Sequence, residues 1–174
     1  KGSFIPDKTF RELRHLTRYR KSIVRDITAQ KNRIDKFLQS SGFRFAAFLS
    51  DTFGASGRNI IRHLMEYGSI SREALDKCLK TQTRKRIDEI LIALNGSLSE
   101  HQRGFLRMIF EHLEALEQHR HSVENAIAEE ITKHEKALSL LCSIPGIDVT
   151  AAAAIIAEIG TDMSAFPDSQ HICS

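Results

Sequence analysis

Residues 9–41 contain no glycine and no proline, so nothing in this stretch interrupts a helical backbone. Its apolar residues recur at spacings of three and four, which predicts a long helix with one buried face of coiled-coil type. Arg20 and Gln30 interrupt that face. Thr9 and Glu12 have the spacing of a capping box, which predicts that the helix begins near Thr9.

A second long helix is predicted over residues 98–141, where apolar residues again recur at helical spacing. Ser97 and Glu100 form a second capping-box pattern at its start. Glycines divide the chain between the two long helices into short helical segments. We therefore expect an all-α fold, in which the two long helices form an antiparallel coiled-coil hairpin and the short helices form a small cap between them.

The cap region begins with a cluster of aromatic residues and continues with short helices. The aromatic residues are Phe43, Phe45, Phe48 and Phe53. We interpret them as core residues, and a platform on which nucleic-acid bases stack is the alternative. The short helices are predicted over residues 58–67, 72–80 and 84–94.

The stretch from Leu140 to Gly160 reads LLCSIPGIDVTAAAAIIAEIG and predicts two helices joined by a tight turn. Pro145 cannot continue a helix, and Gly146 permits a backbone with positive φ. The side chain of Asp148 or Thr150 can then cap the second helix. This pattern is typical of a helix-hairpin-helix segment, with Asp148 in place of the usual second glycine.

Amides that point outward from such a turn carry partial positive charge and can hold a phosphate. We therefore predict that the backbone amides of Gly146, Val149 and Thr150 contact nucleic acid. The alternative is an ordinary helical corner that closes a small core.

The formal net charge is only +3, but the charges are distributed unevenly along the chain. Residues 1–40 have a balance of +7, whereas residues 101–174 have a balance of −6. A basic first helix can bind a polyanion, or it can pair with the acidic second helix through flanking charges. The predicted nucleic-acid-binding side chains on the first helix are Arg11, Arg14, Arg18, Arg20, Lys21 and Arg25.

Several classes of protein are disfavoured by what the sequence lacks. No apolar run approaches the roughly 18 residues that a membrane helix needs, no signal peptide opens the chain, and the three cysteines are far apart. We therefore expect a cytoplasmic protein with reduced thiols and no membrane partner. Because the sequence has no glycine-rich phosphate loop, no GxSxG motif and no HExxH motif, we expect no catalytic set, metal site or cofactor in this chain.

Three stretches resemble one family of proteins. They are KGSFIP followed by ELRHLTRYRKSIVRDITAQKNRIDKFL, then LSDTFGASGRNII, then LLCSIPGIDVTAAAAIIAEIG with FPDSQHICS behind it. In this order they are similar to the middle of the bacterial insertion-sequence transposases that have a RuvC-like DEDD catalytic domain and a C-terminal serine-bearing transposase domain. The LTRYR and SDTFGASGR segments are more specific than the hairpin pattern alone.

The resemblance implies where the chemistry of such an enzyme lies. The DEDD carboxylates, which would bind Mg²⁺, would belong to a domain that ends just before Lys1, and the nucleophilic serine would lie beyond Ser174. The chain would then comprise a helical coiled-coil and cap region, residues 1–137, and the start of the C-terminal transposase domain, residues 138–174. The implied partners are DNA, a structured guide RNA transcribed from the element, and a second copy of the chain.

We therefore predict a catalytically incomplete part of a DNA transposase, an enzyme that mobilises an insertion sequence, with roles in assembly and nucleic-acid contact. The alternative is a helical dimerisation or interaction module that binds no nucleic acid, because opposite charges on the two long helices can neutralise each other. The alternative gains support if the arginines of the first helix pair with Glu114, Glu117 and Glu124.

Overall fold

The computed structural model describes residues 8–166 of the 174-residue chain, and these residues form helices and turns without a strand. The all-α prediction is confirmed. The α-helices are α1 (Lys8–Ser40), α2 (Ala55–Tyr67), α3 (Arg72–Cys78), α4 (Thr81–Arg84), α5 (Ile87–Ala93), α6 (Glu100–Ile131), α7 (Glu135–Cys142) and α8 (Val149–Ile159). Short 3-10 helices cover Phe45–Phe48, Thr132–His134 and Met163–Ala165. The KGSFIP stretch and all but the first residue of FPDSQHICS lie outside the described residues.

Helix α1 follows from the uninterrupted apolar stripe of its sequence. Its buried face consists of residues at helical spacings: Leu13, Ile23, Ile27, Ile34 and Leu38. Lys8 is already helical, so Thr9 lies inside α1 and does not act as its N-cap. The capping box predicted at Thr9 is therefore wrong.

The second long helix begins with a different capping box from the one predicted. The amide of Gln102 donates to Ser99 Oγ at 3.2 Å, and the amide of Ser99 donates to Gln102 Oε1 at 2.9 Å. Each side chain thus satisfies an amide at the start of α6 that has no partner within the helix. The prediction of a capping box at Ser97 and Glu100 is wrong. Ser97 with Glu100 and Ser99 with Gln102 both have the required spacing, and Ser99 with Gln102 forms the cap.

The predicted helix over residues 98–141 is also broken near its end. A 3-10 helix over Thr132–His134 separates α6 from α7. The Thr132 hydroxyl donates to the carbonyl of Glu129 at 2.7 Å, a side-chain bond that competes with the helical backbone pattern and bends helices. No glycine or proline marks this break in the sequence.

The chain divides into two compact units, and the first comprises the described parts of Lys1–Arg25 and Glu117–Ser174. Its core is a cluster of buried residues from α1, α6 and α8: Leu13, Ile127, Ile131, Ala153, Ile156 and Ala157. The alanines on α8 are buried because their short side chains let neighbouring helices approach closely. Phe10 of α1 adds a stacked ring contact with His134, with 4.7 Å between the centroids.

The second unit is Asp26–Leu116, and its core includes the cap region. Phe43 and Phe45 are each 1% exposed, which confirms that these two are core residues. Gln30 is buried as well, and its side-chain Nε2 donates to the carbonyl of Ile109 at 2.6 Å. This polar group on the apolar face of α1 is therefore satisfied by a partner on α6.

The other two clustered phenylalanines of the second unit are half-buried and face cations. The guanidinium of Arg86 lies 5.0 Å from the ring centroid of Phe48, and the Lys31 ammonium lies 5.4 Å from that of Phe53. Such contacts are attractive because the face of an aromatic ring is electron-rich. They occupy the ring faces that the base-stacking alternative requires.

The short helices of the second unit differ from the predicted bounds at their ends. Helix α2 begins at Ala55, three residues before the predicted start, and ends at Tyr67; its C-cap is Gly68, whose φ of 78° is left-handed. Ser71 caps α3, since its Oγ accepts from the amide of Ala74 at 3.3 Å. The helix predicted over residues 84–94 begins instead at Ile87 as α5, and Arg84 is the last residue of the preceding helix α4.

Several glycines of the second unit lie where the neighbouring atoms leave little or no room for a side chain. A Cβ placed on Gly57 would overlap the carbonyl oxygen of Thr52, far inside van der Waals distance. A Cβ placed on Gly96 would overlap the carbonyl oxygen of Ser41 and come within 2.8 Å of the Phe43 ring. Gly42, next to Ser41, has a φ of 90° and would bring a Cβ within 3.2 Å of the Gly96 Cα. The segment after α1 and the segment before α6 therefore approach each other closely at Gly42 and Gly96.

The coiled-coil hairpin, the helix-hairpin-helix assignment and the division into residues 1–137 and 138–174 stay predictions.

Candidate nucleic-acid interface

The predicted nucleic-acid-binding side chains of α1 lie on two different sides of the helix. At about 100° per residue, five of them fall within a sector of about 80°. We call these five the cationic face: Arg11, Arg14, Arg18, Lys21 and Arg25. Arg20 points about 180° away from Arg11 on the same reckoning and belongs to the side that packs inward.

Arg14 is held inside the first unit by the end of α8. Its Nε donates to the carbonyl of Ala157 at 3.2 Å, and its Nη2 donates to the carbonyl of Glu158 at 2.6 Å. The last carbonyls of a helix have no partner within the helix and carry partial negative charge. The Arg14 side chain is only 20% exposed, so its main role is to stabilise the contact between α1 and α8.

Arg18 also contacts α8, but through a side chain. Its Nε and Nη2 donate to Oε1 and Oε2 of Glu158 at 2.8 Å and 2.9 Å, a two-pronged pairing of guanidinium and carboxylate. The hydrogen bonds that Arg18 donates to Glu158 raise the pKa of Arg18 and lower the pKa of Glu158, despite partial burial of that carboxylate. Arg18 stays 64% exposed.

Arg20 pairs with an acid on the neighbouring helix α6. Its Nε lies 2.9 Å and its Nη2 2.7 Å from Glu124 Oε1, and its side chain is 26% exposed. This is one of the pairs that the interaction-module alternative predicts. Glu114, another of those acids, pairs instead with Arg62 of α2 at 2.8 Å, within the second unit.

The remaining cations of the cationic face are Arg11, Lys21 and Arg25. All three are exposed, and within the described part of the chain none of them has an acidic partner. Arg11 and Arg25 are 14 residues apart, which corresponds to about 21 Å along the helix. The structure thus leaves three cations on this face that are accessible to a ligand.

The predicted nucleic-acid-binding turn joins α7 to α8 in the first unit. Gly146 has a φ of 90°, and no atom of the described residues lies within 4 Å of a Cβ placed on it. Asp148 Oδ1 accepts from the amide of Ala151 at 2.7 Å, which confirms that Asp148 caps α8. Among the described residues, the amides of Gly146, Val149 and Thr150 have no hydrogen-bond acceptor.

The same turn exposes apolar side chains. Leu140, Ile144 and Val149 are all exposed on its two sides, and Pro145 is exposed at its tip. Asp148 places a carboxylate among them. The turn is therefore accessible, although its side chains are less suited to a phosphate than its backbone amides are.

A groove of about 670 Å³ lies beside the turn, within the first unit. Its walls come from α1, α6 and the first residues of α8: Thr17, Arg20, Lys21, Val24, Glu124, Ile127, Ala128, Ile131, Asp148, Val149, Thr150, Ala151 and Ala154. It links Lys21 of the cationic face to the predicted amides of Val149 and Thr150.

Two further observations limit the chemistry of the described residues. Within residues 8–166, no group of three or more His, Cys, Asp or Glu side chains is arranged to hold a metal ion. None of the described helices is long and apolar enough to cross a membrane.

Comparison with known families matches the two ends of the chain. A family model described as a transposase, DEDD_Tnp_IS110, matches residues 1–42. A second model, described as a transposase of the IS116/IS110/IS902 family, matches residues 138–174. No curated protein and no solved structure matches the chain.

Both matched models describe transposases, although each covers less than half of the chain. Such enzymes mobilise insertion sequences. Both ends of the chain are thus similar to transposases of the IS110 type, which supports a fragment of an insertion-sequence transposase.

Sequence reasoning missed the residue that organises much of this surface, Glu158. It is the single acid between the N-cap of α8 and Gly160, and it lies in the last turn of the helix. An acid at a helix C-terminus is unfavourable unless cations surround it. That local mismatch indicates that a cation lies near Glu158, but it does not identify Arg14 and Arg18 as the partners.

Proposed function

We propose that this part of the transposase binds the phosphate backbone of nucleic acid through the cationic face of α1. The supporting observation is that Arg11, Lys21 and Arg25 are exposed on one face without acidic partners among the described residues. Lysine and arginine that neutralise phosphates release condensed counterions, which favours binding whatever the sequence. The proposed role is therefore to position nucleic acid, and base-specific recognition is not assigned to this face.

The backbone amides of Gly146, Val149 and Thr150 are the second part of the proposed interface. Their exposure and the positive φ of Gly146 support this role. The groove places Lys21 on the same side of the first unit as the amides of Val149 and Thr150. A nucleic-acid strand that follows the cationic face would then pass the N-terminus of α8, whose partial positive charge attracts phosphate.

DNA is the proposed partner, because a transposase acts on DNA. The family resemblance adds a structured guide RNA as a second polyanion, and phosphate contacts alone do not distinguish the two. The family resemblance adds three further proposals. The protein would act in the cytoplasm and would assemble with a second copy of the chain. Catalytic residues outside those described would bind Mg²⁺.

The test is a salt series of binding to duplex DNA and to structured RNA, with the 174-residue chain and a triple variant, Arg11→Glu, Lys21→Glu and Arg25→Glu. We expect the wild type to bind less tightly as salt rises. The variant should bind at least about tenfold more weakly at low salt, and the slope of log K against log salt should fall in magnitude by about 2–3, because each phosphate contact contributes about 0.9.

The matched control reverses three exposed cations elsewhere, Lys77→Glu, Lys80→Glu and Lys85→Glu, which changes the net charge equally. The control should keep most of the wild-type salt slope. If both triple variants lose the same affinity, general charge explains the binding and the cationic face has no special role.

The interaction module that binds no nucleic acid is the second candidate function. The pair between Arg20 and Glu124 favours it, as does the pairing of Arg14 and Arg18 with Glu158, since opposite charges on different helices already neutralise each other. A dimeric mass in solution, together with no binding of DNA or RNA at low salt, would support this alternative over the proposed function.

A further inference from the structure

Arg18 lies at the centre of the cationic face, seven residues from Arg11 and seven from Arg25. Two helical turns separate it from each, which corresponds to about 10 Å on either side. Yet it is the one of these three that has an acidic partner, Glu158 of α8. The centre of the proposed phosphate-binding surface is thus occupied by a carboxylate from the same chain.

The geometry of this pair resembles that of an arginine bound to a phosphate. Both anions offer two oxygens to the planar fork of the guanidinium, and arginine binds carboxylate and phosphate in the same two-pronged manner. The distances of 2.8 Å and 2.9 Å show that both prongs are used by Glu158. A phosphate and Glu158 therefore compete for the same atoms of Arg18.

Arg14 and Arg18 differ in how readily Glu158 can leave them. Arg14 also donates to two backbone carbonyls of α8 and is mostly buried, so it keeps partners when the Glu158 side chain moves. Arg18 is 64% exposed, and among the described residues its polar partner is the Glu158 side chain. Exposed ion pairs of this kind contribute little to stability, so their partners exchange easily.

We infer that Glu158 is an internal competitor for nucleic-acid phosphate, and that displacing it from Arg18 adds one phosphate contact at the centre of the cationic face. This inference rests on the proposed function. It assigns Glu158 a regulatory role: the chain binds nucleic acid less tightly with the carboxylate in place than its cations alone would allow. The contact of Arg14 with the α8 carbonyls holds Glu158 close to Arg18.

A double-mutant cycle tests the competition, with duplex DNA as the probe. The chains are the wild type, Glu158→Gln, Arg18→Gln and the double variant. Glu158→Gln should tighten binding by about three- to tenfold at low salt and raise the magnitude of the salt slope by about 0.9, which is one added phosphate contact. In the Arg18→Gln background, the same substitution should change affinity by less than about twofold, because no cation is released there.

Glu12→Gln is the charge-matched control, since Glu12 lies on α1, the helix of the cationic face, and its side chain is 60% exposed. It should tighten binding less than Glu158→Gln does. Glu158→Asp keeps the charge but shortens the side chain, so it weakens the two-pronged pairing without altering net charge. It should tighten binding to an intermediate extent, and it serves as the test if Glu158→Gln does not fold.

Equal tightening by Glu158→Gln with and without Arg18 would overturn the inference, because the effect would then be general electrostatics. Weaker binding by Glu158→Gln would also overturn it, because Glu158 would then position the cationic face for binding. In both cases the proposed function stands if the Arg11, Lys21 and Arg25 variant still loses affinity. If no variant and no wild-type chain binds DNA or RNA, the proposed function fails and the inference fails with it.

Discussion

Arg14 and Arg18 are four residues apart on α1 and contact the same carboxylate, but their surroundings give them different roles. Arg14 satisfies carbonyls at the end of α8 and is mostly buried. Arg18 is mostly exposed and has a partner that a phosphate can replace. Both residues are arginines on the same face of one helix. Only their positions relative to α8 distinguish the structural arginine from the one that can bind a ligand.

Gly57 offers a residue-scale prediction about stability. We expect Gly57→Ala to lower the free energy of unfolding by about 1–3 kcal/mol, because its Cβ would overlap the Thr52 carbonyl and force the backbone to shift. Gly104→Ala is the control, since Gly104 lies in α6 with no described atom within 4 Å of a new Cβ.

Gly104→Ala should raise the free energy of unfolding by about 0.5–1 kcal/mol, because alanine loses less backbone entropy in a helix than glycine does. Urea unfolding measures both values. Equal effects of the two substitutions would show that the close approach at Gly57 does not govern stability there.

Helical elements were largely predictable from the sequence, because the signals for them are local. The apolar stripe of α1 and the Asp148 cap both depend on residues within a few positions of one another. The break at Thr132–His134 was not predictable, since no glycine or proline marks it. The pairing of Arg14 and Arg18 with Glu158 was not predictable either, because about 140 residues separate the partners.

The start of α6 gives an element-scale prediction, because two serines have the spacing of a capping box. Ser99→Ala should lower the free energy of unfolding by about 1 kcal/mol, since Ser99 Oγ accepts from the Gln102 amide. Ser97→Ala should change it by less than about 0.5 kcal/mol. Denaturant midpoints compared at constant m-value measure the difference, and the reverse order would place the cap at Ser97.

At the scale of the whole molecule, the two compact units imply that the free energy of local unfolding differs from one part of the chain to another. Each has its own buried core, with Leu13 in the first and Leu64 of α2 in the second, both 0% exposed. Segments that share a core tend to open together, and substitutions in that core affect them most. The proposed interface lies wholly in the first unit, so its stability depends chiefly on that core.

We expect Leu13→Ala to cost about 2–5 kcal/mol within the first unit, because it leaves a cavity among well-packed residues. Hydrogen exchange should then show a larger loss of protection in α8 than in α2. Leu64→Ala is the reciprocal control and should reverse that order. If either substitution lowers protection equally throughout the described residues, the two units open as one.

The close crossing of Gly42 and Gly96 has a consequence for how related sequences diverge. A Cβ on Gly42 would meet the Cα of Gly96, and a Cβ on Gly96 would meet Ser41 and Phe43, the two neighbours of Gly42, although 54 positions separate the glycines. A substitution at one is tolerated only when the backbone near the other moves as well. Among homologues, glycine should therefore be retained at both positions or substituted at both. Gly104, which has open space beside it, should vary independently of them.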